Sequence, residues 1–165
     1  DMAQRFNHIF GQTLVVPEPL IQKEVELVPG LDGLKMSKSY GNTIEIFLSE
    51  KKLRKKFMSI VTDSKGVEDA KDHEACNVFG LYKLFASPEE QASLAARYRA
   101  GGLGYGHAKQ ELFDVVNSQL QAPRARYDEL MSKPEEVREI LDDGAIRARA
   151  IARQTLDRVR AAVGL

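Results

Sequence analysis

The sequence predicts a mostly α-helical protein, with a small α/β segment over residues 1–48 followed by a helical bundle over residues 49–165. Three observations carry that expectation. Short apolar runs hemmed in by proline and glycine are concentrated before residue 49. Beyond it the apolar residues recur at three- and four-residue spacing almost throughout. Helix start and stop signals, such as Ser87-Pro88-Glu89-Glu90 and Gly101-Gly102, punctuate this second part.

In chain order, Ala3, Phe6, Ile9 and Phe10 fall at helical spacing, and Gly11 is placed to end that helix. Asp1-Met2 opens inside this helical pattern, as a chain cut from a longer one would. Leu14-Val15-Val16 reads as a short strand, and Pro17 and Pro19 then force an extended path. Glu24 to Val28 alternates polar and apolar, as a half-exposed strand would. Pro29-Gly30 and Asp32-Gly33 are turn signals, so residues 29–42 read as a long loop. Ser49 can cap a helix from Glu50 to about Val61. Ala75 to Phe85 reads as a buried helix, with Val78, Leu81, Tyr82 and Phe85 inward. A long helix is expected from about Gly106 to Met131, with a bend near Pro123. Another is expected from Ser132 or Lys133, and a last one from about Gly144 to Val163.

Composition narrows the functional classes. A 43% apolar and 29% charged chain of 165 residues can bury a core and is not a disordered tail. The 24 basic residues balance 24 acidic ones, so any nucleic-acid contact must come from a local patch. The single cysteine, Cys76, excludes an internal disulfide and a cysteine-ligated zinc or iron–sulfur site and fits the cytoplasm. His8, His73 and His107 lack metal-ligand spacing, so no protein-bound metal site is expected. No apolar run approaches the length of a membrane span.

The segment that carries chemistry is Lys35-Met36-Ser37-Lys38-Ser39, followed by Gly41. Two ammonium groups three residues apart, on a loop rich in serine and glycine, suit a phosphate. No base neighbours either serine, which argues against nucleophilic catalysis. Gly30 and Gly33 do not give the spacing of a P-loop, which must also enter a helix directly. Lysine and serine are ordinary surface residues, so the five residues alone read first as a solvated polar loop.

The flanks separate these readings. The run Pro29-Gly30-Leu31-Asp32-Gly33-Leu34-Lys35-Met36-Ser37-Lys38-Ser39-Tyr40-Gly41-Asn42-Thr43-Ile44 resembles the second signature of class I aminoacyl-tRNA synthetases, in particular the tryptophan and tyrosine subgroup. Asp1 to Asn7, Pro17-Glu18-Pro19 and Ser59 to Ser64 are also similar to the tryptophanyl-tRNA synthetase family. So are Gly104 to Leu112 and the ending Ala161 to Leu165. Thr62-Asp63-Ser64 and Gly104-Tyr105-Gly106-His107 incline the likeness toward tryptophan over tyrosine. The His-x-Gly-His signature on which ATP docks in that family is absent from this sequence.

The resemblance implies a carboxy-terminal fragment of an aminoacyl-tRNA ligase acting in translation. Residues 1–48 would end a Rossmann-like catalytic domain, and residues 49–165 would form the helical anticodon-binding domain. Lys35 and Lys38 would be catalytic, stabilising charge as pyrophosphate leaves. Ser37 and Ser39 would hold phosphates, and Met36 would lie near the adenosine. Val25 falls where the family places an apolar contact to adenine, although the loop is one residue longer there. The implied partners are ATP with Mg2+, tryptophan bound through the other half, tRNA(Trp), and a second copy in a homodimer. The implied location is the cytoplasm, with no membrane contact. The fragment by itself would be inactive. Alternatives are a tyrosyl-tRNA synthetase fragment and a stand-alone helical RNA-binding module. Lys51 to Lys56 could meet the tRNA backbone or simply be a solvated face. Arg147, Arg149, Arg153, Arg158 and Arg160 could meet the anticodon arm or pair between helices with the acids Glu135, Glu136, Glu139, Asp142 and Asp143.

Overall fold

The computed structural model describes every residue of the chain except Lys23, Glu24 and Glu26. Its elements are α1 (Met2–Phe10), a 3-10 turn (Lys38–Tyr40), α2 (Glu50–Met58), α3 (Asn77–Tyr82), α4 (Pro88–Ala100), α5 (Tyr105–Met131) and α6 (Pro134–Val163). The chain divides into two compact units, Gln22–Tyr127 and a second made of Asp1–Ile21 with Asp128–Leu165.

The unit Gln22–Tyr127 is organised by one apolar core. Leu53 and Phe57 of α2, Val78 and Leu81 of α3, Leu94 and Tyr98 of α4, and Leu112 and Val116 of α5 are all buried in it. Tyr82 lies in the same core, as its spacing predicts, Phe79 is buried there too, and Phe85 packs against it half-buried. Cys76 is buried beside the Tyr98 hydroxyl at 3.4 Å, and that burial pushes the Tyr98 phenol up. The start of α4 follows its sequence signal in full. The Ser87 hydroxyl accepts from the Glu90 N–H, the Glu90 carboxylate accepts from the Ser87 N–H, and Pro88 begins the helix.

Several expectations are corrected. Among the described residues no strand forms over 1–48, so the α/β remnant is not supported and the fold is mostly helical. Val15 is 85% exposed and the Leu14 N–H bonds to the Asn7 side chain. An extended run becomes a strand only when a neighbour takes up its N–H and C=O groups, and none of the described segments does so. The expected strand at Glu24–Val28 falls partly outside the described residues; Val25 there donates back to the Gln22 carbonyl in a turn. Ser49 precedes α2, but its hydroxyl makes no capping bond, and α2 ends at Met58 rather than near Val61. The Val61 N–H is instead taken by the Leu31 carbonyl at 2.8 Å. α3 is also shorter than expected.

The expected break at Gly144 does not occur, and α6 runs unbroken over 30 residues. A single interior glycine costs a helix only about 1 kcal/mol relative to alanine. An Asp143–Arg147 ion pair at 2.9 Å, one turn apart, spans the site. α5 likewise continues through Pro123.

Candidate active-site loop

Residues 29–42 form a closed, internally bonded loop. Pro29 and Lys35 make an antiparallel bridge, and the Gly30 N–H donates to the Leu34 carbonyl at 2.7 Å. The Met36 N–H donates to Val28, and the Leu31 N–H donates to Asn42 across the base of the loop. Two glycines are required for steric reasons. A Cβ on Gly30 would come within 2.4 Å of the Asn42 amide, and one on Gly33, at φ +82°, within 2.3 Å of Asn77.

Asn42 organises this loop. Its side chain is buried and points inward. Its amide nitrogen donates to the Asp32 carboxylate at 2.8 Å and to the Lys35 carbonyl at 3.3 Å, and its oxygen accepts from the Ser37 N–H at 2.8 Å. The Asn42 amide, assisted by the Leu34 N–H, holds the Asp32 carboxyl below the ordinary carboxylate range. One side chain thus fixes the backbone on both sides of Met36.

The tip follows from Ser37. Its hydroxyl accepts from the Ser39 N–H at 3.3 Å and starts the turn Lys38–Tyr40, which Gly41 ends in the left-handed conformation at φ 66°. Lys35, Lys38 and Ser39 are exposed, and Ser37 is half-buried. Among the described residues neither the Lys35 nor the Lys38 ammonium has an ion-pair partner. The two charges therefore stand toward solvent on a loop whose base is rigidly bonded, an arrangement that can receive an anion.

Met36 goes the other way. It lines an apolar cavity of about 230 Å³ with Val28, Ile44, Leu53, Leu84 and Val116, among others. Val25 is half exposed and is not among the residues lining that cavity. The loop thus brings Lys35, Ser37, Lys38 and Ser39 into one segment and turns Met36 toward the helices.

Sequence patterns gave no warning of three further residues. Asn42 looked like the end of a polar loop. Tyr105 donates to the Asp63 carboxylate at 2.7 Å, joining two segments 42 residues apart. Lys71 is buried, with its ammonium on the carbonyls of Gly66, Val67 and Asp69 and 5.4 Å from the Tyr105 ring centre. Local periodicity cannot report bonds of this kind. The histidines do not converge: His8 and His107 are exposed, and His73 meets the Phe79 ring edge-on.

Comparison with known proteins gives this geometry a context. The family model described as tRNA synthetases class I (W and Y) matches residues 1–121. The chain belongs to the class I tRNA synthetase family of the tryptophan and tyrosine type. It is 47% identical over 165 residues to the tryptophan–tRNA ligase of Campylobacter jejuni strain RM1221, covering 100% of this chain and 52% of that protein. The tryptophan–tRNA ligase of Rhodopirellula baltica gives the same identity and the same coverage. A crystal structure of the Campylobacter jejuni tryptophanyl-tRNA synthetase, complexed with ADP and tryptophan, superposes with a TM-score of 0.81 at 47% identity. That superposition covers 99% of this chain and 51% of the other. The chain thus spans about half the length of the curated relatives it matches. No helix among the described residues is long and apolar enough to cross a membrane.

Proposed function

We propose that this chain is the carboxy-terminal half of a tryptophan–tRNA ligase, an ATP-dependent enzyme that activates tryptophan and passes it to tRNA(Trp). The observation that carries the proposal is 47% identity to ligases of that name along the whole chain. The same relatives do not favour the tyrosine enzyme or a stand-alone RNA-binding module. Residues 1–48 are assigned to the end of the catalytic domain and residues 49–165 to the helical anticodon-binding domain. The parent is assigned to the cytoplasm and acts as a homodimer.

In this proposal the loop is a lid over ATP and its Mg2+. Lys35 and Lys38 act on the charge that develops as pyrophosphate leaves, and Ser37 and Ser39 hold phosphate oxygens. Met36 and Val25 are assigned the adenosine by resemblance, which for Met36 requires it to leave the apolar cavity that it lines here. The exposure of both ammonium groups supports a role toward a ligand rather than within the fold. The bonding of Asn42 supports it too, because a charge acts most strongly when it is positioned before the reaction begins.

The test is pre-steady-state adenylate formation by the full-length parent. Lys38→Ala should slow that step by about 10²–10³, or about 3–4 kcal/mol, while tryptophan binding stays nearly unchanged. Lys38→Arg should restore only part of the rate, since a planar fork does not replace a compact charge. The 165-residue chain alone should not catalyse tryptophan-dependent ATP–pyrophosphate exchange. Retention of the rate within about threefold in Lys38→Ala would remove the lid role.

A further inference from the structure

Among the described residues, three of the five cations of α2 have no partner within the fold. Leu53 and Phe57 bury its inner face, which leaves Lys51, Lys52, Arg54 and Lys55 on the outside with one acid, Glu50. The fifth cation, Lys56, is accounted for: its ammonium meets the Thr43 carbonyl at 2.9 Å and the Glu45 carboxylate at 3.2 Å. Arg54 bonds to the neutral Gln110 side chain. Among the described residues Lys51, Lys52 and Lys55 have no acidic partner. Some exposed cations elsewhere are matched, as in Lys83–Glu74, Arg97–Glu111, Arg138–Glu135 and Arg147–Asp143.

Helix energetics do not favour this pattern. Lys55 lies in the last turn, where the helix dipole favours a cation. Lys51 and Lys52 lie in the first turn, where it opposes one. The pairs Lys51/Lys55 and Lys52/Lys56 are four apart, so like charges face each other one turn away, which destabilises a helix. A cluster that works against its own helix suits an external anion. Beside it opens a cavity of about 420 Å³, lined by Lys52, Lys55, Lys56, Ser59, Leu31 and Leu48, and by Glu45, whose carboxylate pairs with Lys56.

We propose that the outer face of α2, with this cavity, binds the phosphodiester backbone of RNA. The proposal deepens the ligase reading and rests on it for the identity of the RNA as tRNA. A row of lysines about 6 Å apart along the helix axis meets a phosphate chain as point charges, without reading its sequence. None of Lys35–Ser39 lines this cavity, so the proposal gives the α2 face the nucleic acid rather than ATP.

The experiment measures equilibrium binding of tRNA, and of a duplex RNA of unrelated sequence, to the full-length protein over a range of salt. The variant is Lys51→Gln/Lys52→Gln/Lys55→Gln, because glutamine matches lysine in helix propensity. Its fold is monitored by circular dichroism melting, and the triple arginine variant retains the charge. The proposal expects the glutamine variant to bind both RNAs about tenfold or more weakly at low salt, with the salt slope reduced by about 2–3. The arginine variant should bind like the parent. Unchanged affinity and slope would overturn the proposal. So would weaker binding at an unchanged slope, or weaker binding in the arginine variant as well, since both mark a structural effect. Tryptophan-dependent exchange by the unsubstituted parent is read separately. If exchange is absent, the ligase reading fails, while the unrelated duplex still decides the fate of the α2 surface.

Discussion

The unit Gln22–Tyr127 and the helix α6 are stabilised in different ways. In the first, four helices each contribute buried side chains to one core, and Tyr98, Leu53, Leu94 and Leu112 are fully enclosed. In the second, 30 residues of helix bury none, and Ile140, Leu141, Ile146, Ile151 and Leu156 are exposed. The former rests on apolar burial. The latter rests on local terms: Pro134 at its start, Glu135 and Glu136 in the first turn, the Asp143–Arg147 pair, and Gly164 closing the end in the left-handed conformation. Such terms are each worth a few tenths of a kcal/mol to about 1 kcal/mol, whereas one enclosed leucine is worth several. The candidate active-site loop is tied to the stronger of the two. Val28, Leu31 and Ile44 pack against the core, and the Val61 N–H pins the Leu31 carbonyl.

The sharpest test of this contrast is a pair of matched truncations. Leu112→Ala removes a fully buried side chain and should cost about 2–5 kcal/mol in urea unfolding. Leu141→Ala, in α6, should change stability by no more than about 0.5 kcal/mol. Comparable losses at the two positions would mean that α6 is held by burial after all, and the contrast would collapse.

A second test concerns the loop. Asn42→Ala leaves the Ser37 N–H and the Lys35 carbonyl without their partner near a buried position, and leaves the Asp32 carboxylate with the Leu34 N–H alone. A loss of about 1–3 kcal/mol is expected, together with faster amide exchange at Ser37. Exchange at Ser37 as slow as in the parent would show that Asn42 is not what orders the loop.

Legibility from sequence follows the range of the interaction. The α4 start at Ser87-Pro88, the Gly11 stop and the inward positions of Val78, Leu81 and Tyr82 are local patterns, and each is found where the sequence places it. The lysine–serine motif was visible because its residues are contiguous. The strand at Leu14–Val16 failed because a strand depends on a neighbour that no local pattern can supply. The break at Gly144 failed because an ion pair and good helix formers outweigh one glycine. Asn42, Lys71 and the Tyr105–Asp63 bond were invisible for the same reason as the strand: each acts through the fold, not through spacing.

The smallest expected effect belongs to that last bond. The Tyr105 hydroxyl is the leading cause that holds the Asp63 carboxyl below its ordinary value, assisted by the Lys65 N–H. Burial, and then the bond to Asp63, raise the Tyr105 phenol in turn. Because Asp63 ionises more readily in the folded chain than in the unfolded one, the bond stabilises the fold above the unfolded carboxyl pKa. That contribution fades as pH falls through the folded value. Tyr105→Phe removes the hydroxyl and keeps the ring beside Lys71 and Tyr98. The Asp63 carboxyl should then titrate at higher pH by NMR, and the thermal midpoint at neutral pH should fall by no more than about 2–4 °C. The variant and parent should converge in stability under strongly acidic conditions, where Asp63 is protonated in both. An Asp63 titration unchanged by Tyr105→Phe would assign its shift to the Lys65 N–H instead, and the two segments would then be joined by packing alone.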